Sequence, residues 1–245
     1  MKELIACASY TDIGGRPYNE DRTGFRWTDG AHLCAVLADG LGGHGGGEIA
    51  SEETVKLILS GWQGTAAPGE LCGLVQEAHR KVLSLQTPAC GMKTTVVVLS
   101  VEPGWVRWAH VGDSRLYHFA NGALVFQTRD HSVSQAAVMM GQITPEEIRF
   151  HEDRSRLFRA LGQEGGLSVD VHEEKLSAGL HAFLLCTDGF WEYVYEDEME
   201  RELAFASSPQ DWLSRLRACH DRRAEERGET NADNHTATAV WLCVE

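Results

Sequence analysis

Apolar residues along this chain follow two periodicities, and the switches between them outline its architecture. Runs rich in apolar, aromatic or β-branched residues, some continuous and some alternating with polar ones, fall at 4–10, 23–27, 32–38, 94–101, 105–111, 114–120, 123–128, 168–174, 181–187 and 235–244, with the length of strands. Other segments, at 48–61, 70–86 and twice within 196–227, carry the helical spacing instead. In the second, Leu71, Leu74, Val75, Ala78, Val82 and Leu85 fall on one face, which predicts a helix buried on one side. Pro103-Gly104 and Asn121-Gly122 punctuate the strand runs as tight turns, Asn-Gly being a strong hairpin signal. From Ser132 to Leu161 the pattern predicts a helical stretch, with Pro145 in the first turn of a helix capped by Thr144. Strands therefore come in antiparallel clusters and helices in separate pairs. That points to an α+β fold, sheet packed on sheet with helices outside, rather than to a doubly wound parallel sheet.

Composition narrows the class. The 245 residues are 43% apolar and 24% charged, and no repeat, low-complexity tract or long linker divides them, so residues 1–245 read as a single domain. The loosest stretch, Gly61 to Glu70, reads as a connection between two helices. Seven scattered cysteines without a CxxC pair look like reduced core thiols and argue against zinc. No apolar run is long enough for a membrane span and the N-terminus has no signal-peptide pattern, so a cytoplasmic location is expected. The formal charge of −14 repels phosphate backbones and makes nucleic acid a poor partner.

Where the acids sit is more telling than how many there are. Five short stretches, "RPYNEDR", "LADG", "VGDSR", "CTDG" and "NADNHT", each lie where a strand pattern ends or a turn begins. Taken singly, these are ordinary turn formers. Jointly they place Asp39 and Asp188 at the mouths of apolar strands, with Glu20, Asp21, Asp113 and Asp233 at other turns. Carboxylates converging there would repel one another unless a hard divalent cation held them, and oxygen ligands suit Mg2+ or Mn2+. Gly40 after Asp39 lets backbone approach closely and offers a carbonyl donor. Arg16, close to the Glu20-Asp21 pair, has the chemistry to grip a phosphate bidentately, against a plain surface salt bridge as the alternative. Among eleven histidines, His44 stands out only by its place in the glycine-rich loop next to Asp39, while His131 after "TRD" reads as a residue of a cap region.

The ordered set "GRPYNEDR", "LADGLGGHGGGEIAS", "KTTVVVLSV", "AHVGDSRLY", "TRDHS", "RALG", "LCTDGFWE" and "ADNHTATAV", spanning residues 15 to 240, resembles the metal-dependent type 2C serine/threonine protein phosphatases in their bacterial form. The resemblance implies a four-layer α-β-β-α sandwich with a mobile flap subdomain at about 130–165. It implies Mg2+ or Mn2+ cofactors: two core ions bridged by Asp39, one also bound by the Gly40 carbonyl, the other by Asp188 and Asp233. Glu20 and Asp21 would act through coordinated waters, and Asp113 with Asp188 would hold a third, weaker ion. Arg16 matches the phosphate-binding arginine. The implied reaction is hydrolysis of phosphoserine and phosphothreonine by a metal-activated bridging water, without a covalent phosphoenzyme, and a proton donor for the leaving group is sought in His44 or a metal-bound water. Phosphoprotein substrates follow, with a cognate kinase as a partner. Two positions depart from the pattern: Leu41 stands where bacterial members have Met, and Lys93 where a glycine precedes the two threonines. A catalytically silent regulator of the same fold and a metal-dependent phosphodiesterase are the alternatives.

Overall fold

The computed structural model describes residues 4–245, with the side chains of Leu4 and His44 outside the description. Its strands are β1 (Leu4–Asp12), β2 (Asp21–Asp29), β3 (His32–Asp39), β4 (Val96–Glu102), β5 (Trp105–Val111), β6 (Arg115–Ala120), β7 (Ala123–Gln127), β8 (Asp170–Lys175), β9 (Gly179–Cys186) and β10 (His235–Val244). The helices are α1 (Gly47–Gly61), α2 (Pro68–Leu85), α3 (Val133–Met139), α4 (Asp188–Trp191), α5 (Glu196–Phe205) and α6 (Pro209–Arg227). One sheet runs β1-β10-β9-β6-β7 and the other β2-β3-β4-β5-β8, with antiparallel pairing throughout.

Alternation along the strands explains why apolar runs are nearly continuous in antiparallel sheets. In β3, Leu33, Ala35 and Leu37 face the layer between the sheets, where they meet Val97, Leu99, Phe183, Leu185 and Val240. The intervening Cys34, Val36 and Ala38 turn to the opposite face and pack on Val55 and Ile58 of α1 and Leu71, Val75 and Ala78 of α2. The other sheet repeats the scheme, sending Phe119, Leu184 and Ala239 toward Trp212, Leu213 and Leu216 of α6. Both faces of each central strand are therefore buried, and the four-layer arrangement follows. Each fully buried Leu, Val or Phe contributes about 1.5–3 kcal/mol, so the middle layer holds the two sheets in one relative position.

The expected helical stretch from Ser132 to Leu161 is a correction. Only α3 is α-helical there, capped by Ser132, whose Oγ accepts the Gln135 N–H. Beyond it Gly141 adopts φ +69°, a single 3₁₀ turn covers Glu146–Phe150, and the chain returns through bridges pairing Ser132 with Leu157 and Thr94 with Leu161. Pro145, not Thr144, occupies the cap position of that turn, and the Thr144 N–H instead donates to Glu147 Oε2 at 2.7 Å. The reason lies in packing. Ile148 is buried with the α5–α6 side of the sandwich, whereas Leu161 is buried with the α1–α2 side. Attachment to two different cores overrides local helix preference.

Candidate active site

Strand ends from both sheets meet at one end of the sandwich, and the sequence places an acid at most of them. Asp21 opens β2 and pairs directly with Asp39, the last residue of β3, so both side chains leave the ladder on the same side. Asp113 lies in the turn from β5 to β6. Asp188 follows β9 and Asp233 precedes β10, neighbours whose pairing starts at Cys186 and Ala237. A cleft of about 570 Å³ opens there, lined by Arg16, Glu20, Asp39, Gly40, Asp113, Asp188 and Asp233. Asp21 sits behind it, buried, with Oδ2 accepting the Thr187 hydroxyl at 3.0 Å. The backbone of His44 closes the 3₁₀ turn Gly42–His44 in the loop at the rim, while its side chain lies outside the described residues.

Electrostatics at this end are unfavourable for carboxylates alone. Desolvation, then the charge of Asp21 and Asp188, pushes the Asp39 carboxyl well above the usual range. Desolvation and the charge of Asp188 do the same to Asp113. Asp188 is raised by desolvation and by Asp233, and Asp21 is pushed up to about 7, chiefly by desolvation. Glu20 is raised by desolvation and by Glu48. Asp39 and Asp188 line the same cleft and the charge of Asp188 raises the cost of ionising both Asp39 and Asp113, a crowding that carboxylates tolerate only with protons or a cation among them. Asp21 Oδ1 is buried with no hydrogen-bond partner among the described residues. An all-oxygen donor set, crowded and partly unsatisfied, fits Mg2+ or Mn2+ and not a soft metal.

The scaffold that aims these acids is largely made of residues that carried no assigned role in the sequence. Thr95 Oγ1 accepts the Asp39 N–H at 3.0 Å, and Thr94 Oγ1 donates to the Asp39 carbonyl at 2.8 Å. The Lys93 carbonyl accepts the Leu41 N–H at 2.9 Å, so the position departing from the family pattern holds the loop through its backbone. Ser51 Oγ donates to the Glu20 carbonyl, and Asn234 Oδ1 accepts the Glu20 N–H at 2.8 Å. The glycine run also has a local reason: a Cβ on Gly42 or Gly47 would lie 2.1 or 2.5 Å from a Glu20 carboxylate oxygen. The Glu20 side chain thus rests against bare backbone, and a methyl group would evict it. Signals for Thr94, Thr95 and Asn234 were present in the motifs, but their partners are over 50 residues away in sequence. Arg16, offered for phosphate, donates from Nη2 to Asp233 Oδ2 at 2.7 Å, both side chains nearly half exposed.

Comparison with known proteins agrees with this geometry. Residues 13–227 match the family model described as Protein phosphatase 2C. A serine/threonine phosphatase, stp, of Listeria monocytogenes is 34% identical over 204 residues, which are 79% of this chain and 81% of that protein. The crystal structure of the serine/threonine phosphatase Stp1 from Staphylococcus aureus superposes with a TM-score of 0.85 at 28% identity, covering 99% of this chain and 96% of that one. The catalytic domain of the serine/threonine protein phosphatase PstP in complex with two manganese ions gives a TM-score of 0.81 at 26% identity, covering 99% and 100%. Fold, motif order and a family match running nearly from end to end coincide, and the chain belongs to the protein phosphatase 2C family.

Proposed function

We propose that this serine/threonine phosphatase releases phosphate from phosphoserine and phosphothreonine side chains in proteins with the help of Mg2+ or Mn2+ held at the strand ends. Asp39 would bridge two ions, the Gly40 carbonyl would complete one of them, and Asp188 and Asp233 the other. Glu20 and Asp21 would act through coordinated waters, and Asp113 with Asp188 would take a third, weaker ion. The convergence of Asp39, Asp113, Asp188 and Asp233 on one cleft, with Asp39, Asp113 and Asp188 raised in proton affinity, is the observation that carries the reading. When bound, such ions supply an acidified water and offset the charge of the phosphoryl group.

The chain's own residues do the rest. Arg16 leaves its bridge to Asp233, which at that exposure is worth no more than about 1 kcal/mol, and donates paired N–H groups to phosphate oxygens. Asn234 and Ser51 keep the Glu20 backbone fixed while this happens. The leaving alkoxide needs a proton, and His44, on the loop at the rim, is the side chain proposed to give it. Water attacks directly, so the reaction passes through no covalent phosphoenzyme.

The acids weigh against a silent regulator of the same fold, since Asp39, Asp188 and Asp233 are all present at the cleft. The charge of −14 weighs against a nuclease. A cytoplasmic setting is supported by seven free cysteines, and no helix of the described residues is long and apolar enough to cross a membrane. A kinase acting on the same substrates is the partner this chemistry requires. The test is turnover of a phosphothreonine peptide with added Mn2+: Asp39→Asn is expected to abolish it, and robust turnover in a chelator would refute the mechanism.

A further inference from the structure

Gly112, just before Asp113, is gripped on both sides of its backbone by one residue. Its carbonyl accepts the His131 N–H at 2.9 Å, and its own N–H donates to His131 Nδ1 at 3.1 Å. Gly112 adopts φ +106°, and a Cβ there would stand 2.6 Å from the Thr95 side chain, so this turn is pressed onto Thr95, the residue just before β4. Thr95 in turn shares a 2.7 Å hydrogen bond with Ser114. The Asp113 carbonyl accepts the Trp191 indole N–H at 2.9 Å. His131 thus holds both peptide planes of Gly112: its ring the one that arrives from Val111, and its backbone N–H the one that leads into Asp113.

His131 is itself held in one tautomer. The ring is buried, and loss of water keeps it neutral. Because Nδ1 accepts from Gly112, the proton sits on Nε2, facing Asp170 Oδ2 at 3.3 Å. Asp170 accepts from Arg159 through its other oxygen at 2.9 Å, and the His131 ring stacks on His110 with centroids 4.7 Å apart. Ligand atoms of His110, His131 and Asp170 lie within 4.8 Å of one another, a spacing that invites a cation. Both His131 nitrogens are already committed, however, and the Arg159 guanidinium stands 3.3 Å from Nε2. The cluster is a hydrogen-bond relay. It also receives the returning flap segment, since the His131 carbonyl accepts the Phe158 N–H at 2.7 Å.

We infer that His131, its ring oriented by Asp170, is a positioning residue: by accepting the Gly112 N–H the ring fixes the left-handed Gly112 and thereby aims Asp113 into the cleft. The inference rests on the reading of Asp113 as the acid of the weaker ion. Loss of an outer partner of this kind weakens a metal site by about 10-fold to 100-fold. Its signature is selective: the weak ion alone is affected.

Calorimetric titration of Mn2+ into the metal-stripped full-length protein, with thermal unfolding recorded on each sample, tests it. Asp113→Asn should abolish the weak binding step; an unchanged step there would refute the reading of Asp113, and the inference would fall with it. With that step assigned, His131→Ala should weaken it by at least about 10-fold and leave the tighter steps unchanged. His131→Asn, whose amide oxygen can replace Nδ1 as acceptor for Gly112, should restore it to within about 3-fold. Asp170→Ala, at an exposed position, covers the case in which His131→Ala does not fold, and should weaken the same step alone. Unchanged weak binding in His131→Ala or Asp170→Ala, or equal loss of all steps, would overturn the positioning role.

Discussion

Replacing Asn234 should disconnect the N-terminal arm from the active site. Its side chain is 5% exposed and makes three hydrogen bonds: Oδ1 accepts the Glu20 N–H at 2.8 Å, and Nδ2 donates to the carbonyls of Ile13 and Tyr18 at 2.8 and 3.0 Å. These bonds tie the segment carrying Arg16, Glu20 and Asp21 to the residue after Asp233. Each is worth about 1 kcal/mol net, so Asn234→Ala should cost about 3 kcal/mol. For a chain of this size that is a fall in Tm of about 6–12 °C. Asn234→Asp keeps the acceptor for Glu20 but turns an oxygen toward two carbonyls and adds charge beside Asp233. It should therefore destabilise the metal-free protein at least as much as the alanine variant. Calorimetric unfolding measures the stability, and steady-state hydrolysis of p-nitrophenyl phosphate with Mn2+ measures the functional effect, expected as a raised KM because Arg16 loses its support. Unfolding of both variants within 2 °C of the parent, about 0.5–1 kcal/mol, would refute the reasoning.

Two further outcomes follow from the electrostatics. The Asp21 carboxyl is raised from 3.8 to about 7, and those of Asp39, Asp113 and Asp188 shift the same way, so between about pH 4 and 7 these four groups hold more protons in the folded state than in the unfolded one. Their contribution to the stability of the metal-stripped protein falls as pH rises through that window, while buried histidines such as His118, His131 and His235, held neutral by desolvation, contribute in the opposite sense. In urea unfolding in a chelator, Asp21→Asn should therefore gain stability relative to the parent at pH 8 more than at pH 6, and an equal change at both pH values would contradict the crowding of acids. Arg115 and Asp130 form a bidentate pair with both bonds at 2.8 Å, each side chain at most 3% exposed, and the guanidinium lies 3.5 Å from the Trp191 ring centroid. Arg115→Ala strands the carboxylate and should cost about 3–5 kcal/mol, whereas Arg115→Met with Asp130→Leu should recover most of it in urea unfolding.

How much of this was legible in the sequence depends on the range of the interaction. Strands and outer helices were, because alternation in β3 and the one-sided stripe of α2 are local patterns. The acids were too, since "CAVLAD" and "FLLCTD" each show a carboxylate directly after an apolar run. The segment after α3 was not, because Ile148 and Leu161 answer to cores on opposite sides of the sandwich. The hold of Asn234 on Glu20 and of Thr95 on Asp39 joins residues that are 214 and 56 positions apart. His131 illustrates the limit best. Its neighbours in the chain mark a cap region, while its function as read here lies in the tautomer that Gly112 and Asp170 impose.

The acids come from both sheets: Asp21 and Asp39 from one, Asp188 and Asp233 from strand ends of the other, and Asp113 from the turn that joins the two. Any cation held between them is a cross-link between layers, and its affinity contains the free energy of keeping those layers in register. Packing of Leu99 and Phe183 in the middle layer, remote from the cleft, is thermodynamically linked to metal occupancy. Truncating such a side chain should lower stability and metal affinity together. On the proposed assignment of the acids, the interior leucines and phenylalanines would be tuning elements of an inorganic site they never touch.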